Sequence, residues 1–173
     1  MRYTSVAVAA ALTLLTIGTA VQGQRAEDAI DPRSLALLAK GRALQAAANL
    51  DGATDQLETA VAIDPRNRDA FVVLGQVAQS RALPGKAIRL YREALSLDPN
   101  DVVALRGQGE ALVTRGAVQR ARDNLAKIRT VCARRACPEI AALTASIAKG
   151  PPTVTASAAT VVAPPAGIPT AKN

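Results

Sequence analysis

RNRDAFVVLGQVAQSRALPGKAIRLYREALSL, residues 66–97, runs between two Asp-Pro pairs, Asp64-Pro65 and Asp98-Pro99. It reads as two short amphipathic helices joined by a turn at Leu83-Pro84-Gly85. Phe71, Leu74, Gly75 and Ala78 share one face of the first helix, and Ala87, Leu90, Tyr91, Ala94 and Leu95 share one face of the second. Proline lacks an N–H and cannot continue a helix, so Pro65 and Pro99 mark the limits of the unit. Neither helix can bury its apolar stripe alone, and the unit needs neighbours.

Those neighbours lie in register at a step of 34 residues. Gly41, Gly75 and Gly109 align, as do Ala53, Ala87 and Ala121. Leu37, Phe71 and Leu105 form a third column, and Leu57, Tyr91 and Leu125 a fourth. Ala60 and Ala94 align with Ile128, and the proline of the first two units is replaced by Ala133 in the third. Glycine inside a helix costs about 1 kcal/mol relative to alanine. Its recurrence therefore points to close packing, with each glycine set where the first helix of a unit meets the second and each alanine as the reciprocal small site. The pattern predicts helices at 35–48, 53–62, 69–81, 85–96, 102–115 and 117–131. Ser34 is expected to cap the first, and Asn100-Asp101 to supply the cap of the fifth.

These columns resemble the tetratricopeptide repeat (TPR) in period and in helix–turn–helix pattern. The likeness covers roughly residues 33–132, with copies at about 34–67, 68–101 and 102–132. The family's bulky aromatic occurs once, as Phe71, and its later tyrosine is replaced by Leu44, Ala78 and Leu112. The resemblance implies an all-α fold, a right-handed superhelical solenoid of three repeats plus a C-terminal capping helix. The helix at 138–149, opened by Pro138, striped with Ile140, Leu143 and Ile147 and stopped at Gly150, is the expected cap, so that the domain spans 33–149. Small exported bacterial proteins similar to this one end in the same way, with two cysteines flanking the turn into a last helix.

Residues 1–23 read as a secretory signal: Arg2, a short apolar run from Val6 to Ile17, then small residues ending at Ala20 or Gly23. The run is shorter than the ~20 residues a spanning helix needs. Export would place the mature chain in the periplasm or outside the cell, without stable membrane insertion. Residues 24–32 form a polar, flexible lead-in, and 150–173, rich in Pro, Ala and Thr, read as disordered. Cys132 and Cys137 in an exported chain read as one structural disulfide. A redox-active pair is the sharper alternative, since Arg134 and Arg135 would lower a nearby thiol pKa. Two cysteines without a histidine are too few for a metal site.

The net charge of +7 is uneven. Residues 24–100 carry ten basic and ten acidic side chains, whereas 101–149 carry nine and four. The surplus suits an acidic protein segment or anionic lipid headgroups, while the scarcity of aromatics disfavours nucleic acid. The family pattern turns Leu38, Arg42, Gln45, Val72, Gln76, Gln79, Arg106, Glu110 and Val113 toward a groove that binds peptides or protein surfaces. At the positions where some relatives clamp a carboxyl terminus with lysines and asparagines, this chain has Leu38, Arg42, Val73, Val103 and Gly107, so that activity is not implied. The absence of histidine excludes Ser-His-Asp triads, and no catalytic residue or cofactor is expected. The reading is therefore a non-enzymatic scaffold or adaptor of the bacterial cell envelope that binds a peptide or protein, with acidic ligands favoured near Arg106. A permanently docked structural subunit and a thiol-based redox sensor stand as alternatives.

Overall fold

The computed structural model describes residues 29–133 and 136–152. The expected signal, residues 24–28 of the lead-in, Arg134, Arg135 and residues 153–173 of the tail lie outside the described residues. Seven α-helices follow one another, and no strand occurs among the described residues: α1 (Pro32–Ala46), α2 (Leu50–Ile63), α3 (Arg68–Ser80), α4 (Pro84–Leu97), α5 (Val102–Thr114), α6 (Val118–Val131) and α7 (Pro138–Lys149).

Short polar side chains start four of them. Asp31 accepts from the Arg33 N–H at 2.8 Å, Asn49 from Gly52 at 2.9 Å, Asn67 from Ala70 at 3.2 Å, and Asp101 from Val103 and Ala104 at 2.9 and 3.0 Å. These bonds answer donors that the first turn of a helix leaves free. Pro84 and Pro138 open α4 and α7, where a missing N–H costs nothing. The start of α1 corrects the sequence reading. Asp31 caps it and Pro32 is its first residue. With the cap supplied, the Ser34 hydroxyl turns inward: it donates to the Ala60 carbonyl at 2.7 Å and accepts from Asn67 Nδ2 at 2.8 Å. This buried relay ties α1 to α2 and to the start of α3.

The turns within the three helix pairs are copies of one another. The left-handed residue is Ala48 (φ 58°), Ala82 (φ 56°) and Gly116 (φ 78°) in turn. The next N–H reaches a carbonyl five residues back each time, Asn49 to Leu44, Leu83 to Ala78 and Ala117 to Leu112, all at 2.9 Å. Alanine tolerates this conformation poorly because its Cβ crowds the following carbonyl, at a cost of roughly 1–2 kcal/mol. Ala48→Gly and Ala82→Gly should each therefore stabilise the fold by about 0.5–1 kcal/mol after allowing for the looser unfolded chain. Urea unfolding followed by circular dichroism checks this, and a loss of stability in both variants would refute it.

The turns between pairs use a second device. Asp64 accepts from the Arg66 N–H and from the N–H of Asp31, the α1 cap, 33 residues earlier, both at 2.9 Å. One repeat later Asp98 accepts from the Asn100 N–H at 2.9 Å. The next position in register is Cys132, joined to Cys137 by a disulfide with a Cα separation of 6.1 Å. The Arg66 side chain, then the N–H groups of Asp31 and Arg66, hold the Asp64 carboxyl at about 2, below its usual 3.8. A lowered folded-state pKa gives stability that is present above the unfolded value and lost as pH falls through the folded one. The Asp64 contribution should accordingly disappear between about pH 4 and pH 2. Wild type should lose more stability across that window than Asp64→Asn, as measured by denaturant titration at each pH; parallel curves would exclude this role.

Packing is between near neighbours along the chain, and the core is a succession of clusters. Ala53, Ala87 and Ala121 are fully buried. A Cβ added at Gly41 would lie 2.6 Å from Leu57 Cγ, and one at Gly75 would lie 2.7 Å from Tyr91 Cε1. Gly109 differs from the sequence expectation. Its nearest side chain is Leu143 of α7, at 2.7 Å from an added Cβ, because the cap helix packs on α5 as well as α6. Gly107, which the columns did not single out as a packing residue, also lies against the Tyr91 ring. Tyr91 is thus enclosed by two glycines, and its hydroxyl donates to Gln79 Oε1 at 2.5 Å. Burial raises the pKa of this phenol far above its usual value and keeps it a donor.

Candidate binding groove

The odd-numbered helices α1, α3 and α5 touch in succession and form one layer of the array. A cleft of about 550 Å³ runs along them. Its floor is Val72, Val73, Val102 and Val103, and Arg42, Gln45 and Gln76 edge it. Arg68, Asp69, Asp98, Asn100 and Asp101 close one end.

The charges at that end neutralise one another. Asp69 Oδ1 accepts from Arg68 at 2.6 Å and Oδ2 from Arg42 at 2.9 Å. Arg68 also bonds Asp98 at 3.0 Å and Asp101 at 3.1 Å, which ties the start of α3 to the turn that opens α5. Partial burial would raise the Asp69 pKa, but the hydrogen bonds from Arg68 and Arg42 outweigh it and the net shift is downward. The hydrogen bond to Asp69 in turn raises the Arg68 pKa. Farther along, Arg106 Nη1 meets Glu110 Oε1 at 2.7 Å, one turn on in α5.

Of the residues expected in the groove, Arg42, Gln45, Val72 and Gln76 line this cleft together. Gln45 donates to Gln76 at 3.4 Å. Gln79 is engaged from within: its Nε2 donates to the Gly107 carbonyl at 3.3 Å while its Oε1 holds the Tyr91 hydroxyl. Leu38 and Val113 are buried and do not line this cleft.

No family model and no curated protein sequence matches the chain. Solved structures do. The TPR domain of Sgt2 from Aspergillus fumigatus superposes with a TM-score of 0.64 at 20% identity, over 78% of this chain and 95% of that one. The TPR2B domain of yeast Sti1, in complex with pHsp70, gives 0.64 at 16% identity over 69% and 98%. The first TPR domain of Spaghetti (RPAP3), bound to the HSP90 peptide SRMEEVD, gives 0.61 at 17% identity over 69% and 97%. This chain has the TPR fold.

On this TPR array, sequence reasoning missed the residues that close the cleft at one end. Arg68 and Asp69 follow the α3 cap directly, and Asp98, Asn100 and Asp101 belong to a turn read only as a boundary and a helix cap. The signal that could have found them was the repeated Asp-Pro turn itself, since every such turn abuts the first residues of the next TPR helix pair. The TPR groove also lacks free cations at the positions read as basic, because Arg42 and Arg106 each hold a carboxylate. No helix among the described residues is long and apolar enough to cross a membrane.

Proposed function

We propose that the chain is a non-enzymatic scaffold or adaptor that holds an extended protein segment along α1, α3 and α5. The observation that carries this is the cleft itself. A valine floor offers apolar contact, and Gln45 and Gln76, each with a donor and an acceptor, edge it where a ligand backbone would lie. Two of the similar TPR structures hold peptides or partners, and that likeness in fold supports the reading. The ligand favoured is close to neutral. Arg42, Arg68 and Arg106 stand among Asp69, Asp98, Asp101 and Glu110, so an acidic ligand would have to displace existing ion pairs. The signal-like sequence of residues 1–23 supports a place for this activity in the bacterial cell envelope, as a periplasmic or secreted protein.

A photoreactive residue at Gln76, with a second at Glu58 on α2 as control, tests the groove in living cells. One protein captured from position 76 alone, and lost when Val103→Arg fills the cleft, is the expected result. Capture from position 58 but not 76 would move the binding surface elsewhere. One observation favours a permanently docked subunit instead. Leu35 and Leu97, 46% and 42% exposed, share a second cleft with Ile30, which meets the groove through Arg68, Asp69 and Asp98. A purified chain that stays monomeric and soluble at high concentration would count against that second reading.

A further inference from the structure

The ion pairs of the described residues end at Glu110. N-terminal to it Arg33, Arg42, Arg66, Arg68, Arg81 and Lys86 hold carboxylates, but among the described residues beyond it no cation does. Arg120, Arg122, Lys127 and Arg129 all lie on α6 and are all exposed. α6 buries Ala121, Leu125 and Ile128. At 100° per residue the crest opposite that stripe is Gln119, Asp123, Ala126 and Thr130. Arg120 and Lys127 stand on one flank of the crest, Arg122 and Arg129 on the other. Each pair is one heptad apart, about 10 Å along the axis.

We propose that this face of α6 is a second binding surface, independent of the groove, and that it seats the chain on an anionic lipid surface. Three features favour a plane of headgroups over an acidic peptide. None of the clefts described is lined by these four cations, so there is no trough to hold an extended chain. The crest side chains are short or neutral, Asp123 excepted, and long Arg and Lys side chains on both flanks can rise past them to a common plane. The crest offers no large apolar group, so adsorption is electrostatic and reversible by salt.

The test is co-sedimentation of the chain from residue 24 onward, without the signal-like segment, with vesicles of phosphatidylcholine containing phosphatidylglycerol, and with phosphatidylcholine alone. The comparison variants are Arg120→Gln/Arg122→Gln/Lys127→Gln/Arg129→Gln and a control, Lys40→Gln/Arg89→Gln/Arg92→Gln, which removes other exposed cations that hold no carboxylate. A melting curve for each confirms folding. Each cation near such a surface is worth roughly fivefold in partition. The α6 variant should therefore lose anionic-vesicle binding more than 100-fold, while the control stays within about tenfold of wild type. High salt should release the wild type. Equal losses in the two variants, equal binding to neutral vesicles, or binding to a soluble glutamate-rich peptide without binding to vesicles would each overturn the proposal.

Discussion

Leu143→Ala is expected to destabilise the protein by about 3 kcal/mol, with the loss concentrated at its C-terminal end. Leu143 is the fully buried residue of α7, and it packs among Leu105, Leu125, Ile128 and Cys132. Gly109 has no side chain where its isobutyl group lies, so truncation opens a void that the backbone of α5 cannot fill. A solenoid distributes its stability as near-neighbour terms. The penalty should fall on α5, α6 and α7 first and on α1 last. Urea unfolding gives the total, and hydrogen exchange resolved by peptide gives the distribution. The disulfide keeps α7 close after it undocks. Adding Cys132→Ser and Cys137→Ser should remove about 2 kcal/mol more, from the entropy of closing so short a loop. A uniform loss of exchange protection along the chain would contradict this account.

Gly107→Ala should cost about 2 kcal/mol, although the same change in an isolated helix would gain about 1 kcal/mol. The new methyl would lie too close to Tyr91 Cζ for a nonbonded contact. That ring cannot retreat, since Gly75 backs it at 2.7 Å from an added Cβ and Gln79 holds its hydroxyl. Relief must come from separation of α4 and α5 or of α3 and α4. A smaller residue at position 91 provides the check. Leu57 occupies the equivalent place over Gly41, which shows that an aliphatic side chain suits this site. In a double-mutant cycle with Tyr91→Leu, the cost of Gly107→Ala should shrink by at least about 1 kcal/mol. Additive losses would mean that the ring is not the obstacle.

What the sequence made legible is what recurs. Gly41 with Leu57 and Gly75 with Tyr91 stood out because packing demands the same residue sizes at the same step. The partner of Gly109 did not, because it comes from α7, beyond the last repeat. Gly107 was silent because no second copy carries a glycine there. The left-handed column at 48, 82 and 116 was hidden because two of its members are alanine, a residue that does not announce that conformation. Ser34, two residues after a proline, looked like a cap, and only the placement of Asp31 one residue before that proline frees its hydroxyl for the interior. Arg42 looked like a free groove cation because its carboxylate lies 27 residues away. The partner of Arg106 sat four residues on, in plain view.

The register that runs through Asp64, Asp98 and Cys132 gives the array two chemically different ends. The N-terminal junction is clasped by a carboxylate and answers to protons and ionic strength. The C-terminal junction is clasped by a covalent bond, is indifferent to both, and answers only to reductant. Loosening therefore has a polarity that the surroundings can choose: acid weakens the Asp64 clasp beside α1, and a thiol weakens the clasp before α7. Two compartments that differ in acidity and redox poise would each loosen a different end of the same molecule.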